Sequence, residues 1–89
     1  MELQEIRKKL DEIDSKLLPL LEERMACSKF VGEYKKSRGI PILDSKREGE
    51  ILQKIRDSTK SAELKDYTEE IYKEIMRVSR EYQAQIIDK

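Results

Sequence analysis

Arg24 and Lys35 are the first candidates for chemistry in this chain. They stand about three helical turns apart, and at 100° per residue Ser28, Val31 and Lys35 all fall within about 40° of Arg24. Two cations therefore share one narrow lane of a long helical segment. Apolar residues recur along that segment at Leu3, Ile6, Leu10, Ile13, Leu17 and Leu20, then at Cys27, Val31 and Tyr34, a spacing of three and four that makes a heptad seam. Arg24 occupies the seam position after Leu20, where a core side chain belongs. A guanidinium there needs a partner, because burying it alone is costly. Elsewhere, Ser79 and Gln83 are i, i+4 neighbours beside Met76, and Arg47 and Glu48 fall in the first turn of a second helical segment. Taken together, the set is cationic with a few hydrogen-bonding groups, a lining suited to a small polyanion such as a dicarboxylate.

Each residue also has a plainer reading. Arg24 suits a structural charge paired with a glutamate of the third helix as well as it suits a ligand. Lys35 could simply complement its helix C-terminus or snorkel. Asp44 and Glu48 are as readily capping residues, and Arg7 alone is a surface charge. Arg7 is about 25 Å from Arg24 along one helix, too far for one metabolite to touch both. If two long helices run antiparallel, Arg7 of one chain approaches Arg24 of the other, and a site shared between chains follows.

Composition bounds what these residues can do. The chain has 89 residues, with 43% charged and 37% hydrophobic, where about a quarter charged is usual. That suits long amphipathic helices with solvated outer faces. The 19 cationic and 19 anionic side chains cancel, which argues against a nucleic-acid footprint. No apolar run is long enough for a bilayer and no signal-peptide core is present, so a soluble, cytoplasmic protein is expected. Without histidine, Ser-His and Cys-His catalysis and the common zinc sites are excluded. The lone Cys27 allows no intrachain disulfide and reads as a small core hydrophobe on the seam.

Positioning this set requires three helices, long, short and medium, in a single all-α domain over residues 1–89. The first is expected from about Leu3 to about Lys36. Pro19 interrupts it at ~3 kcal/mol in an ordinary helix interior, but the seam keeps register across it, so a continuous, kinked helix is expected. Gly39 fits a left-handed C-terminal cap, with Pro41 two residues on. The second helix starts at Asp44 or Ser45, where Ser45 and Glu48 match a capping box, and presents Ile51, Leu52 and Ile55. "DSTKS" breaks it. The third runs from about Ala62 to near Ile87, with Leu64, Ile71, Ile75, Val78, Tyr82 and Ile86 on one face. One short and one medium helix cannot cover so long a first helix, and the exposed seam predicts an intertwined homodimer.

In order and spacing, these residues resemble the all-helical (type II) chorismate mutase family over nearly the whole chain. "IRKKLDEIDSKLLPLLEERMACSKFVGEYK" resembles its first helix, with an early arginine, the LLxER run and a V-G-x-x-K ending. "DSKREGEIL" resembles the D-x-x-R-E start of its second helix, and "SREYQ" supplies the third-helix serine and glutamine. Pro19 departs from the helix former expected at its position.

The resemblance implies that the chain rearranges chorismate to prephenate on the route to phenylalanine and tyrosine. Arg24, and Arg7 of the partner chain, would bind the two substrate carboxylates. Lys35 and Gln83 would hydrogen-bond the ether oxygen of the breaking C–O bond, with Lys35 also reaching a carboxylate. Asp44, through its backbone, and Glu48 would hold the ring hydroxyl, Arg47 would add positive potential, and Ser79 would lie near a carboxylate. Val31, Ile51 and Met76 match apolar wall positions. Such a unimolecular rearrangement requires no metal or cofactor. Isochorismate pyruvate-lyase activity on the same scaffold is the alternative within the resemblance. A non-catalytic helical dimerisation or regulatory module is the alternative from another class. Since the family's mutase domains are often fused to other enzymes of aromatic biosynthesis, the chain could be a piece of a bifunctional enzyme.

Overall fold

The computed structural model describes residues 1–88. Its elements are α1 (Leu3–Arg38), α2 (Ser45–Ser58), a 3₁₀ turn at Ala62–Leu64 and α3 (Lys65–Ile87). The all-α expectation of one long, one short and one medium helix holds, with the 3₁₀ turn as an addition before α3.

α1 is continuous through Pro19. The proline removes the amide that would bond the Ser15 carbonyl, but Ser15 and Pro19 are both exposed, so water can satisfy that oxygen. The helix stops at Gly39, whose φ of 64° places it in the left-handed region and whose amide donates to the carbonyls of Lys35 and Lys36. Asp44, not Ser45, caps α2: its Oδ1 accepts from the Arg47 amide at 3.0 Å. The Ser45–Glu48 capping box does not form, because Ser45 is already inside the helix and the Glu48 carboxylate is engaged by α3.

α3 organises the fold. It packs against both α1 and α2, while the backbones of α1 and α2 do not approach one another among the described residues. Arg24 pairs with Ser79, Ser28 with Gln83 and Lys36 with Ile86, so α1 and α3 run in the same direction. Glu48 pairs with Arg80 and Arg56 with Glu69, so α2 runs opposite to α3. At the far end of α2, Arg56 bridges Asp66 and Glu69 at 2.8 and 2.6 Å, and Thr59 meets Thr68 at 2.8 Å. These carboxylates hold the Arg56 guanidinium above its ordinary pKa.

The interior of one protomer is small. Met76 is its buried apolar residue, accompanied by Ser28, Ser79, Gln83 and Gly32. The molecule is 53 Å in its longest dimension, essentially the length of α1. Every residue from Met1 to Leu20 is exposed, so the first half of α1 projects as an arm with its apolar stripe uncovered. The seam is therefore not a core within the protomer. Cys27 is likewise exposed, contrary to its reading as a small core residue, because it faces the gap between α1 and α2. The apolar face expected on the third helix is also partly exposed, at Ile71 and Val78 of α3 and at Leu64 of the 3₁₀ turn before it. Among the described residues, no helix is long and apolar enough to cross a membrane.

Candidate active site

The gap between α1 and α2, floored by α3, is a cleft of about 330 Å³. It is within the range of small-molecule sites. α1 contributes Arg24, Ser28, Val31 and Lys35, the lane expected from helical projection. The N-terminus of α2 contributes Asp44, Arg47, Glu48 and Ile51, and α3 contributes Met76, Ser79 and Gln83. Arg7 is absent from this lining; it is exposed on the projecting arm.

Buried hydrogen bonds fix the polar walls. Arg24 Nη1 donates to Ser79 Oγ at 3.1 Å. Its partner is thus a neutral hydroxyl, and no carboxylate among the described residues pairs with it, which removes the reading of Arg24 as one half of an ion pair with α3. Gln83 Nε2 donates to Ser28 Oγ at 3.0 Å, while Gln83 Oε1 is buried with no partner. The Ser28 hydroxyl can equally donate to Oε1, and an amide turned that way presents its NH₂ to the cleft. Lys35 Nζ donates to the Ile42 carbonyl at 2.6 Å, tying the end of α1 to the loop before α2. Lys35 is half-buried and otherwise uncommitted, with two further donors available.

The α2 wall is assembled differently. The Asp44 side chain is spent on its cap, its carbonyl accepts from the Glu48 amide at 3.0 Å, and Arg47 is exposed beside it. Glu48 is half-buried, and both of its oxygens accept from Arg80 Nη1, at 2.5 and 2.7 Å. Four cations (Arg24, Lys35, Arg47 and Arg80) and two carboxylates (Asp44 and Glu48) line the cleft. The excess is two positive charges, in a site floored by Met76 and walled by Val31 and Ile51. That is a complement for a dianion with an apolar ring. Among the described residues, no three His, Cys, Asp or Glu side chains gather as a metal site.

Arg80, Ile42 and Cys27 line the cleft without having been expected there from the sequence. Arg80 carried a signal: positions 76, 79, 80 and 83 form an i, i+3, i+4, i+7 set, so the arginine shares a face with Met76, Ser79 and Gln83. Ile42 carried none, since its contribution is a loop carbonyl.

The chain is similar to known proteins along most of its length. A family model described as chorismate mutase type II matches residues 6–84. A chorismate mutase of Methanocaldococcus jannaschii is 54% identical over 54 residues, which are 61% of this chain and 54% of that protein. A bifunctional chorismate mutase/prephenate dehydratase of Aquifex aeolicus is 46% identical over 54 residues, covering 61% of this chain and 15% of the relative. The matched stretch thus spans about half of the first of these curated relatives and much less of the second. Among solved structures, a conserved hypothetical protein from Pyrococcus furiosus superposes with a TM-score of 0.72 at 33% identity, covering 91% of this chain and 93% of that one. With a family match that takes in every residue of the cleft, the whole of α2 and most of α1 and α3, the chain belongs to the chorismate mutase type II family.

Proposed function

We propose that this chain is a chorismate mutase that acts as a homodimer with two shared sites. The observation that carries the reading is the convergence of Arg24, Lys35, Glu48 and Gln83 on one cleft in a member of this family. Chorismate is a dianion with a ring hydroxyl and an enol ether, and the excess positive charge, the Glu48 carboxylate and the paired donors suit those three features.

The chemistry is a concerted rearrangement. The ether C–O bond breaks while a C–C bond forms, within one molecule. Arg24 grips one carboxylate, with Ser79 beside it and Arg47 adding positive potential at the entrance. Glu48 and the Asp44 backbone hold the hydroxyl. Val31, Ile51 and Met76 close on the ring and favour the compact diaxial conformer, which supplies the proximity component. Negative charge grows on the ether oxygen as the bond breaks. A Lys35 ammonium, and a Gln83 amide turned so that Oε1 accepts from the Ser28 hydroxyl and its NH₂ faces the cleft, stabilise that charge more in the transition state than in the substrate, as an accelerating interaction must.

Arg7 of the partner chain completes the set by reaching the second carboxylate. The support is geometric: an arm about 27 Å long with Leu3, Ile6, Leu10, Ile13 and Leu17 uncovered demands a partner surface, and an antiparallel second copy offers one. A cytoplasmic location belongs to the same reading.

The test is direct. Purified protein incubated with chorismate should consume it and yield prephenate. Release of pyruvate, from isochorismate or chorismate, would move the assignment to a lyase. Chorismate left intact would leave a helical dimerisation module.

A further inference from the structure

Arg80 has no place in the ligand set inferred so far, yet it is built into the cleft. It is half-buried, and its side chain crosses from α3 to α2. There, one terminal nitrogen straddles both oxygens of Glu48, at 2.5 and 2.7 Å. The other ion pairs divide into two groups. Glu70–Lys73, Glu74–Arg77 and Arg77–Glu81 lie along one solvated face of α3, and exposed pairs of that kind contribute little. Arg56 clasps Asp66 and Glu69 at the opposite end of α2, outside the cleft. Only Glu48–Arg80, among the described residues, is a cross-helix ion pair with both members in the cleft wall.

Two consequences follow from charge and reach. A carboxylate beside a bound dianion is repelled by it unless a cation sits on its other side. Arg80 is that cation. Asp44, the other carboxylate of the wall, is occupied by its cap. Arg24 and Lys35 each donate once elsewhere, to Ser79 and to the Ile42 carbonyl, and keep their remaining donors for the substrate, while Arg47 is exposed. Glu48 also stands on the first turn of α2, a helix with no buried residue of its own, whose cavity end is held to α3 by this pair. Without Arg80, both the charge and the direction of Glu48 are left to solvent.

Building on the mutase reading above, we propose that Arg80 is a positioning residue. It holds the Glu48 carboxylate against α3 so that the remaining lone pairs accept the substrate hydroxyl, and it offsets the Glu48 charge against the incoming dianion. It acts through Glu48 and not by touching the substrate.

A double-mutant cycle on the full chain, with chorismate as substrate, tests this: wild type, Arg80→Ala, Glu48→Ala and the two combined. Arg80→Ala should lower kcat/KM about ten- to a hundredfold, the scale of a lost charge-assisted hydrogen bond. The double variant should be no worse than Glu48→Ala alone, because nothing remains for Arg80 to position. Arg80→Lys, which keeps the charge but not the planar fork, should restore part of the loss. Arg80→Met keeps the packed stem and supplies the same cycle if the alanine chain does not fold. Equal losses in both backgrounds, following the melting temperature, would show a merely structural role and overturn the proposal. Wild-type protein inactive on chorismate removes the mutase reading and this inference with it; an active wild type with additive losses removes the inference alone.

Discussion

Gly32 of α1 stands so close to Gln83 of α3 that a methyl group on the glycine would lie 3.2 Å from Gln83 Cγ, 3.3 Å from Cβ and 3.4 Å from Cα. The glycine sits in the V-G-x-x-K segment, one residue from Val31 and one helical turn from Lys35. Its role here is close approach: it lets α1 and α3 come near enough for Gln83 to reach Ser28.

Gly32→Ala should separate stability from activity. Alanine gains up to about 1 kcal/mol of helix propensity over glycine, and crowding in a packed contact costs about 1–3 kcal/mol. The net cost is about 0–2 kcal/mol, a fall in melting temperature of up to about 15 °C for a domain of this size, which leaves the chain folded at assay temperature. Because the crowding falls on the Gln83 backbone as well as its side chain, the amide must shift. We expect kcat/KM to fall about tenfold or more, the scale of a small misplacement at a reacting centre. An unchanged kcat/KM in a folded variant would show that the amide's placement does not matter.

Ser28→Ala probes the same amide from the other side. Gln83 Nε2 loses its acceptor, and Oε1 already has no donor. A buried amide with neither end satisfied costs about 1–3 kcal/mol. Ser28 can also donate its hydroxyl to Oε1, which turns the NH₂ group into the cleft. Chemical denaturation should show the stability loss and steady-state kinetics a fall in kcat/KM, with both effects absent in a Gln83→Ala background.

Lys35→Ala should remove about 10²–10³-fold in kcat, the usual scale for one preorganised donor at a developing oxyanion. Helix content by circular dichroism should be retained, because Lys35 is only half-buried and its one internal bond is to a loop carbonyl. Near-normal turnover would remove Lys35 from the chemistry.

Mixing Arg7→Ala chains with Arg24→Ala chains tests the shared site. Each should be inactive alone. After subunit exchange, half of randomly paired dimers are mixed and each has one intact site, so about a quarter of wild-type activity should return. No recovery, with exchange confirmed by mass spectrometry of tagged chains, would place Arg7 outside the site.

Much of the cleft was legible because it is written at helical spacing. Arg24, Ser28 and Lys35 on α1 and Ser79 and Gln83 on α3 each lie on one helix, so projection alone brings them to a common side. The Arg80–Glu48 pair was not legible, since it depends on the register between α2 and α3, which no single-helix pattern encodes. The same pair explains the failed capping box: the Glu48 carboxylate has a cationic partner on another helix that outweighs its own N-terminal amide. Periodicity marked the seam from Leu3 to Leu20 as apolar but could not say what covers it, and within one protomer nothing does.

α1 and α2 each lean on α3 but not on each other, and the cleft is the missing third side of that triangle. Whatever occupies it joins two helices that the polypeptide leaves apart. Occupancy should therefore register as resistance to unfolding, with melting temperature rising with the logarithm of ligand concentration. A dicarboxylate held there acts as a keystone: the protein's cohesion and its affinity become one quantity measured from two directions.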